Sequence, residues 1–143
     1  MSTEIHRGFV DLAEGQAHYR ACGDHILPPL VMFHGSPGSS YSLVPLMRHL
    51  AAGRRVIAID TLGNGDSSPA AMAEPEIADL ADAHWRTITS LGLKSVDLYG
   101  YHTGAAICTE LSIRHGEGIR RIVMEAPSAE IGSSDEMFRT YLG

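Results

Sequence analysis

Five residues, Gly100-Tyr101-His102-Thr103-Gly104, set one titratable side chain between two glycines. An apolar run from Val96 to Tyr99 precedes them, and an Ala-rich stretch from Ala105 to Ser112 follows. The pattern predicts a strand, a sharp turn and a helix, a geometry that lifts the central side chain above the strand end. The flanking glycines permit a turn tighter than a Cβ allows. A serine, cysteine or aspartate at the centre would read as a nucleophile. His102 leaves three roles open. It can act as a general base on water, since a helix N-terminus favours the neutral imidazole a base needs. It can act as a nucleophile, which would require a base of its own. Or the turn survives as scaffold and the position does no chemistry.

Two further loops carry the residue types of a site. His34-Gly35-Ser36-Pro37-Gly38-Ser39-Ser40 can turn backbone N–H groups toward a bound oxygen, or can serve only as a tight turn. In Asp60-Thr61-Leu62-Gly63-Asn64-Gly65-Asp66-Ser67-Ser68, Asp60 and Ser67 are expected to shape the loop through side-chain-to-backbone hydrogen bonds. His34 reads as part of its turn, and His84 as a core or boundary histidine on a helix face. His6, His18, His25, His49 and His115 show no metal-ligand spacing, so no metal is expected. Neither G-x-G-x-x-G nor a P-loop occurs, and no cofactor is expected. Trp85 reads as packing.

These loops need elements to hold them. Gly8 to Leu12 and Gln16 to Ala21 predict a hairpin around Ala13-Glu14-Gly15. Pro28-Pro29 closes a loop, and Leu30-Val31-Met32-Phe33 reads as a strand buried on both faces. Leu43, Leu46, Met47 and Leu50 mark one helix face, ended by Gly53. Val56 to Ile59 is a second buried strand. Ile77, Leu80, Ala81, His84, Ile88 and Leu91 mark a longer helix closed by Gly92. Ile122-Val123-Met124 is one more strand. Alternating strands and helices imply a mostly parallel sheet with helices on both faces.

The three loops, in this order and at these element boundaries, resemble the α/β-hydrolase family. The match runs from about Gly8 to Pro127, and His34 to Leu50 is particularly similar to the haloalkane dehalogenase and epoxide hydrolase branch. The resemblance implies a three-layer α/β core and a cofactor-independent hydrolase of a small organic, ester-like substrate. It also implies an oxyanion hole from the backbone N–H groups of Ser36 and Thr103, with His102 at the nucleophile position. Two such donors, one at a helix N-terminus, stabilise charge developing on a substrate oxygen. The family's acid and its base histidine come from the last third of the domain. Glu125 and Glu130 lie near where some members place the acid, and each reads better as a surface or loop carboxylate. The alternative is a catalytically degenerate fold that binds a ligand or partner, or a non-functional gene fragment.

Composition supports one ordinary globular domain over residues 1–143, with 44% hydrophobic and 20% charged residues. A net charge of −6 without basic runs argues against nucleic acid or an anionic membrane as main partner. Cys22 and Cys108 are expected as free thiols. The N-terminus lacks the apolar core of a signal peptide, and a cytoplasmic location is expected. Ser133 and Glu136 have the spacing of a capping box, and Met137, Tyr141 and Leu142 are expected to begin an apolar face. The domain is therefore expected to be C-terminally incomplete, truncated before the last strands, with a lid beginning at about residue 133. Incompleteness implies an exposed sheet edge and self-association through it.

Overall fold

The computed structural model of the chain describes residues 3–24 and 27–127. β1 (His6–Leu12) and β2 (Gly15–Cys22) form an antiparallel hairpin. β3 (Leu27–Phe33), β4 (Arg54–Ile59), β5 (Val96–Tyr101) and β6 (Ile119–Glu125) run parallel. α1 (Val44–Leu50) follows β3, α2 (Ile77–Ser90) follows β4, and α3 (Thr103–Arg114) follows β5. The sheet order is β1-β2-β4-β3-β5-β6. The chain thus steps one way from β3 to β4 and the other way to β5. That reversal falls beyond the carboxyl ends of β3, β4 and β5, the place where open α/β sheets bind ligands.

The apolar runs serve two layers at once. Leu30 and Met32, with Val56, Ala58 and Tyr99, pack toward Leu43, Met47 and Ala51. Val31 and Phe33, with Ile57, Ile59 and Leu98, pack toward Ala81, Ile88, Ile107 and Leu111 on α2 and α3. A strand buried on both faces has no position for a polar alternation, which is why these runs are continuous. α2 begins with a capping box in which Glu76 and Asp79 each bond the other's backbone N–H.

Several boundaries differ from the sequence reading. β3 begins at Leu27 and passes through Pro28-Pro29 instead of starting at Leu30. The pairing with β4 shifts between Leu27 and Leu30, because a proline gives no N–H to the ladder. The Pro28 carbonyl is taken instead by the Arg54 guanidinium, at 2.6 Å from Nη2 and 3.1 Å from Nε. The predicted helix from Leu43 is a 3₁₀ turn over Ser40–Leu43 that leads into α1, with Pro45 in the first turn. β5 continues two residues past Tyr99 to Tyr101, and α3 starts at Thr103, two residues before the Ala-rich stretch. The helix predicted from Ser133, and Glu130, lie outside the described residues.

Candidate functional site

The loop after β4 is organised by one buried carboxylate. Asp60 Oδ1 accepts the Ser40 N–H at 2.6 Å, and Oδ2 accepts the Asp66 N–H at 2.9 Å. His18 Nδ1 also meets Oδ2, at 2.8 Å. Burial raises the Asp60 pKa, but the hydrogen bonds from Ser40, Asp66 and His18 outweigh it and hold the carboxyl below its ordinary range. Ser67 donates to the Asp60 carbonyl at 2.7 Å and accepts the His18 N–H at 2.8 Å. Asp60 and Ser67 therefore shape their loop, as expected from the sequence.

His18 was not singled out by that reasoning. Its Nε2 accepts from Arg7 Nε at 2.9 Å, so Nδ1 carries the proton offered to Asp60. Arg7 also pairs with Asp66 at 2.5 Å. His18, Asp60 and Asp66 bring one ligand-type atom each within 4.8 Å of one another, and Arg7 supplies the positive charge there. The connection depends on β2 lying beside β4, where the Asp60 N–H bonds the His18 carbonyl at 2.9 Å. Local sequence patterns carry no sign of that neighbour.

His34 ties the first loop to the second. Its Nδ1 bonds the Gly35 carbonyl at 2.9 Å, and its Nε2 accepts the Thr61 N–H at 3.1 Å. The Thr61 hydroxyl meets His84 Nε2 at 3.1 Å. His84 is fully enclosed, and burial first, with His34 nearby adding to it and Asp60 opposing, pushes its pKa down to about 3. Both histidines therefore serve the framework of the loops.

The turn after β5 has the predicted form. His102 sits at φ 57° and ψ −114°, a positive-φ conformation that costs a non-glycine residue about 1–3 kcal/mol. Its N–H bonds the Glu125 carbonyl at 3.0 Å, and its own carbonyl takes the Ala105 N–H at 2.9 Å. A Cβ on Gly100 would fall 2.3 Å from the Gly104 carbonyl oxygen, and one on Gly104 would fall 2.2 Å from that of Phe33. Only glycine fits at either side of the turn. His102 is exposed beside the half-exposed Tyr101, ring centroids 5.7 Å apart. Gly35 comes so close that a Cβ on it would lie 3.2 Å from that of His102. The first loop and the turn therefore share one point.

Ser36 and Thr103 are also brought together, though not as two open N–H groups. The Ser36 N–H donates to Thr103 Oγ1 at 2.8 Å. Among the described residues no carboxylate pairs with the His102 ring. Glu125 uses its carboxylate on the Tyr99 hydroxyl, and burial first, then that bond, raises the Tyr99 pKa. Cys22 and Cys108 are free and buried; burial pushes the Cys108 thiol up to about 12. No helix among the described residues is long and apolar enough to cross a membrane.

The sheet order, the reversal between β4 and β5 and the tight turn after β5 define an α/β-hydrolase core. The family model described as "alpha/beta hydrolase fold" matches residues 28–142, and the chain belongs to that family. It is 40% identical over 101 residues to a 2-hydroxymuconate semialdehyde hydrolase of Pseudomonas sp. (strain CF600), covering 67% of this chain and 35% of that protein. It is 35% identical over 114 residues to a haloalkane dehalogenase of Sphingobium indicum, covering 75% and 38%. Among solved structures, an epoxide hydrolase from Vigna radiata superposes with a TM-score of 0.86 at 26% identity, covering 98% of this chain and 47% of that one. The chain spans between a third and a half of the length of these relatives.

Proposed function

We propose that this chain belongs to a cofactor-independent, cytoplasmic hydrolase of a small organic substrate with an ester-like bond. His102 stands at the reacting position as general base on water, and Ser36 and Thr103 form the group that stabilises the oxyanion. The observation that carries the reading is the meeting of the His102 turn with Gly35 at the switch point of the sheet. One exposed imidazole then stands beside the Ser36–Thr103 hydrogen bond and the N-terminus of α3, beyond the carboxyl ends of β3 and β5. Residues 1–143 belong to a single domain in this reading.

A second reading, a degenerate fold that binds a ligand without turning it over, draws on two observations. The Ser36 N–H already has an acceptor, and no described carboxylate orients the His102 ring. The test is turnover of ester, epoxide and haloalkane panels by the native chain and by His102→Ala. Loss of turnover in the variant alone is expected. Equal turnover in both would remove His102 from the mechanism, and no turnover in either would favour the binding reading.

A further inference from the structure

The Ser36–Thr103 hydrogen bond changes which atom reaches a ligand. We infer that Thr103 acts in this site through its side-chain hydroxyl, which takes the place of the Ser36 N–H as donor to a substrate carbonyl oxygen. The inference rests on the hydrolase reading above and names the group that would hold the oxygen.

The Ser36 N–H is committed to Thr103 Oγ1 at 2.8 Å. A hydroxyl that accepts one hydrogen bond keeps its own O–H to give. Other hydroxyls on the helices spend theirs on backbone: Thr87 on the Ala83 carbonyl, Thr109 on that of Ala105, and Ser112 on that of Thr109. Thr103 is the first residue of α3, and the carbonyl four residues before it belongs to Tyr99 in β5. Among the described residues no acceptor takes the Thr103 O–H. The bond from Ser36 also polarises that O–H, since a hydroxyl that accepts becomes a better donor. Thr103 is β-branched and stiff at χ1, so the same bond fixes where the hydroxyl stands. It stands one residue after His102, on the loop side that Gly35 approaches. The chain Ser36 N–H to Thr103 O–H would end on the substrate oxygen, beside the N–H groups of the α3 first turn. A ligand with a carbonyl or carboxylate oxygen is the class such a pair of donors holds.

Thr103→Val removes the hydroxyl at constant shape, and Thr103→Ser keeps it. Turnover of p-nitrophenyl acetate by the native chain and both variants is the first readout. Valine is expected to lower kcat about 100- to 1000-fold with little change in KM, as the loss of one oxyanion donor does, and serine to retain most of it. Acetate binding is the second, followed by the amide shifts of Ser36 and Thr103 in ¹H–¹⁵N spectra. It is expected in native and serine proteins and lost in the valine variant. If the native chain binds acetate in this way but turns nothing over, the hydrolase reading fails and the hydroxyl assignment stands. Valine turnover or acetate affinity equal to native, or higher, would overturn the assignment and make the hydroxyl a plug on the Ser36 N–H. Should the valine protein not fold, Thr103→Ala replaces it with the same expected results.

Discussion

Replacing Gly104 by alanine tests the geometry on which the site depends. The added Cβ would lie 2.2 Å from the Phe33 carbonyl oxygen, 2.7 Å from its carbon and 3.0 Å from the His34 carbonyl oxygen. The first distance is more than about 1 Å inside ordinary non-bonded separation. All three atoms are backbone, and the Phe33 pair belongs to β3, a strand held by β4 on one side and β5 on the other. No side-chain rotation can relieve the overlap, so α3 must move away from β3. That opens the contact between α3 and the core around Ile107, Cys108 and Leu111. Overpacking alone costs about 1–3 kcal/mol, and the rigid partner places this case at about 3 kcal/mol or above. For a chain of this size the melting temperature should fall by about 10 °C. Gly116→Ala is the internal control, since a Cβ there meets nothing within 4 Å; it should stay within about 0.5 kcal/mol of native. Urea and thermal unfolding followed by circular dichroism measure both. A Gly104→Ala protein as stable as the Gly116→Ala protein would refute the close approach of α3 to β3.

Two further outcomes follow from burial and from the sheet edge. His84 ionises near pH 3 in the fold and near 6.5 in the unfolded chain. Above pH 6.5 it is neutral in both states and its contribution is complete. As pH falls from 6.5 toward 3 only the unfolded chain takes up this proton, and stability declines by up to about 1.4 kcal/mol per pH unit. Urea unfolding at pH 7 and pH 5 should show a smaller loss in His84→Gln than in native protein, and parallel losses would sink the argument. β6 is a sheet edge among the described residues, with Val123 60% and Met124 40% exposed. Val123 lines a groove of about 480 Å³ with Leu30, Leu46, Leu50 and Tyr99. We expect self-association in sedimentation that weakens in Val123→Glu, whereas a native chain monomeric at every concentration would end that proposal.

How much of this was legible in the sequence depended on the range of the interaction. Leu30 to Phe33 and Val56 to Ile59 announced strands buried on both faces, because burial on two sides needs nothing but a continuous apolar run. Gly100 and Gly104 announced the turn, because a backbone approach that excludes a Cβ admits one residue type. Pro28-Pro29 misled, since proline marks a loop locally, while here Arg54 satisfies the Pro28 carbonyl from the neighbouring strand. The Arg7, His18 and Asp60 group was invisible: its members stand 42 or more residues from Asp60 in sequence or on a separate strand, and meet through the β1-β2-β4 order. The Ser36–Thr103 bond joins positions 67 residues apart. Sequence patterns put both residues on neighbouring loops and could not show that the Ser36 N–H would be taken by the Thr103 hydroxyl.

The strain at His102 belongs to the backbone and not to the imidazole. Its φ of 57° is held by the bond from its N–H to Glu125, by the Ala105 N–H on its carbonyl, and by the two glycines whose missing Cβ atoms let α3 lie against β3. None of these contacts uses the ring. A different L-residue at this position would carry the same cost of about 1–3 kcal/mol and stand at the same place. Atoms outside the side chain therefore decide where residue 102 stands, and the side chain alone decides what it does there. The family's fold can for that reason be complete at this turn whatever side chain residue 102 carries, and the role proposed for His102 depends on its imidazole alone.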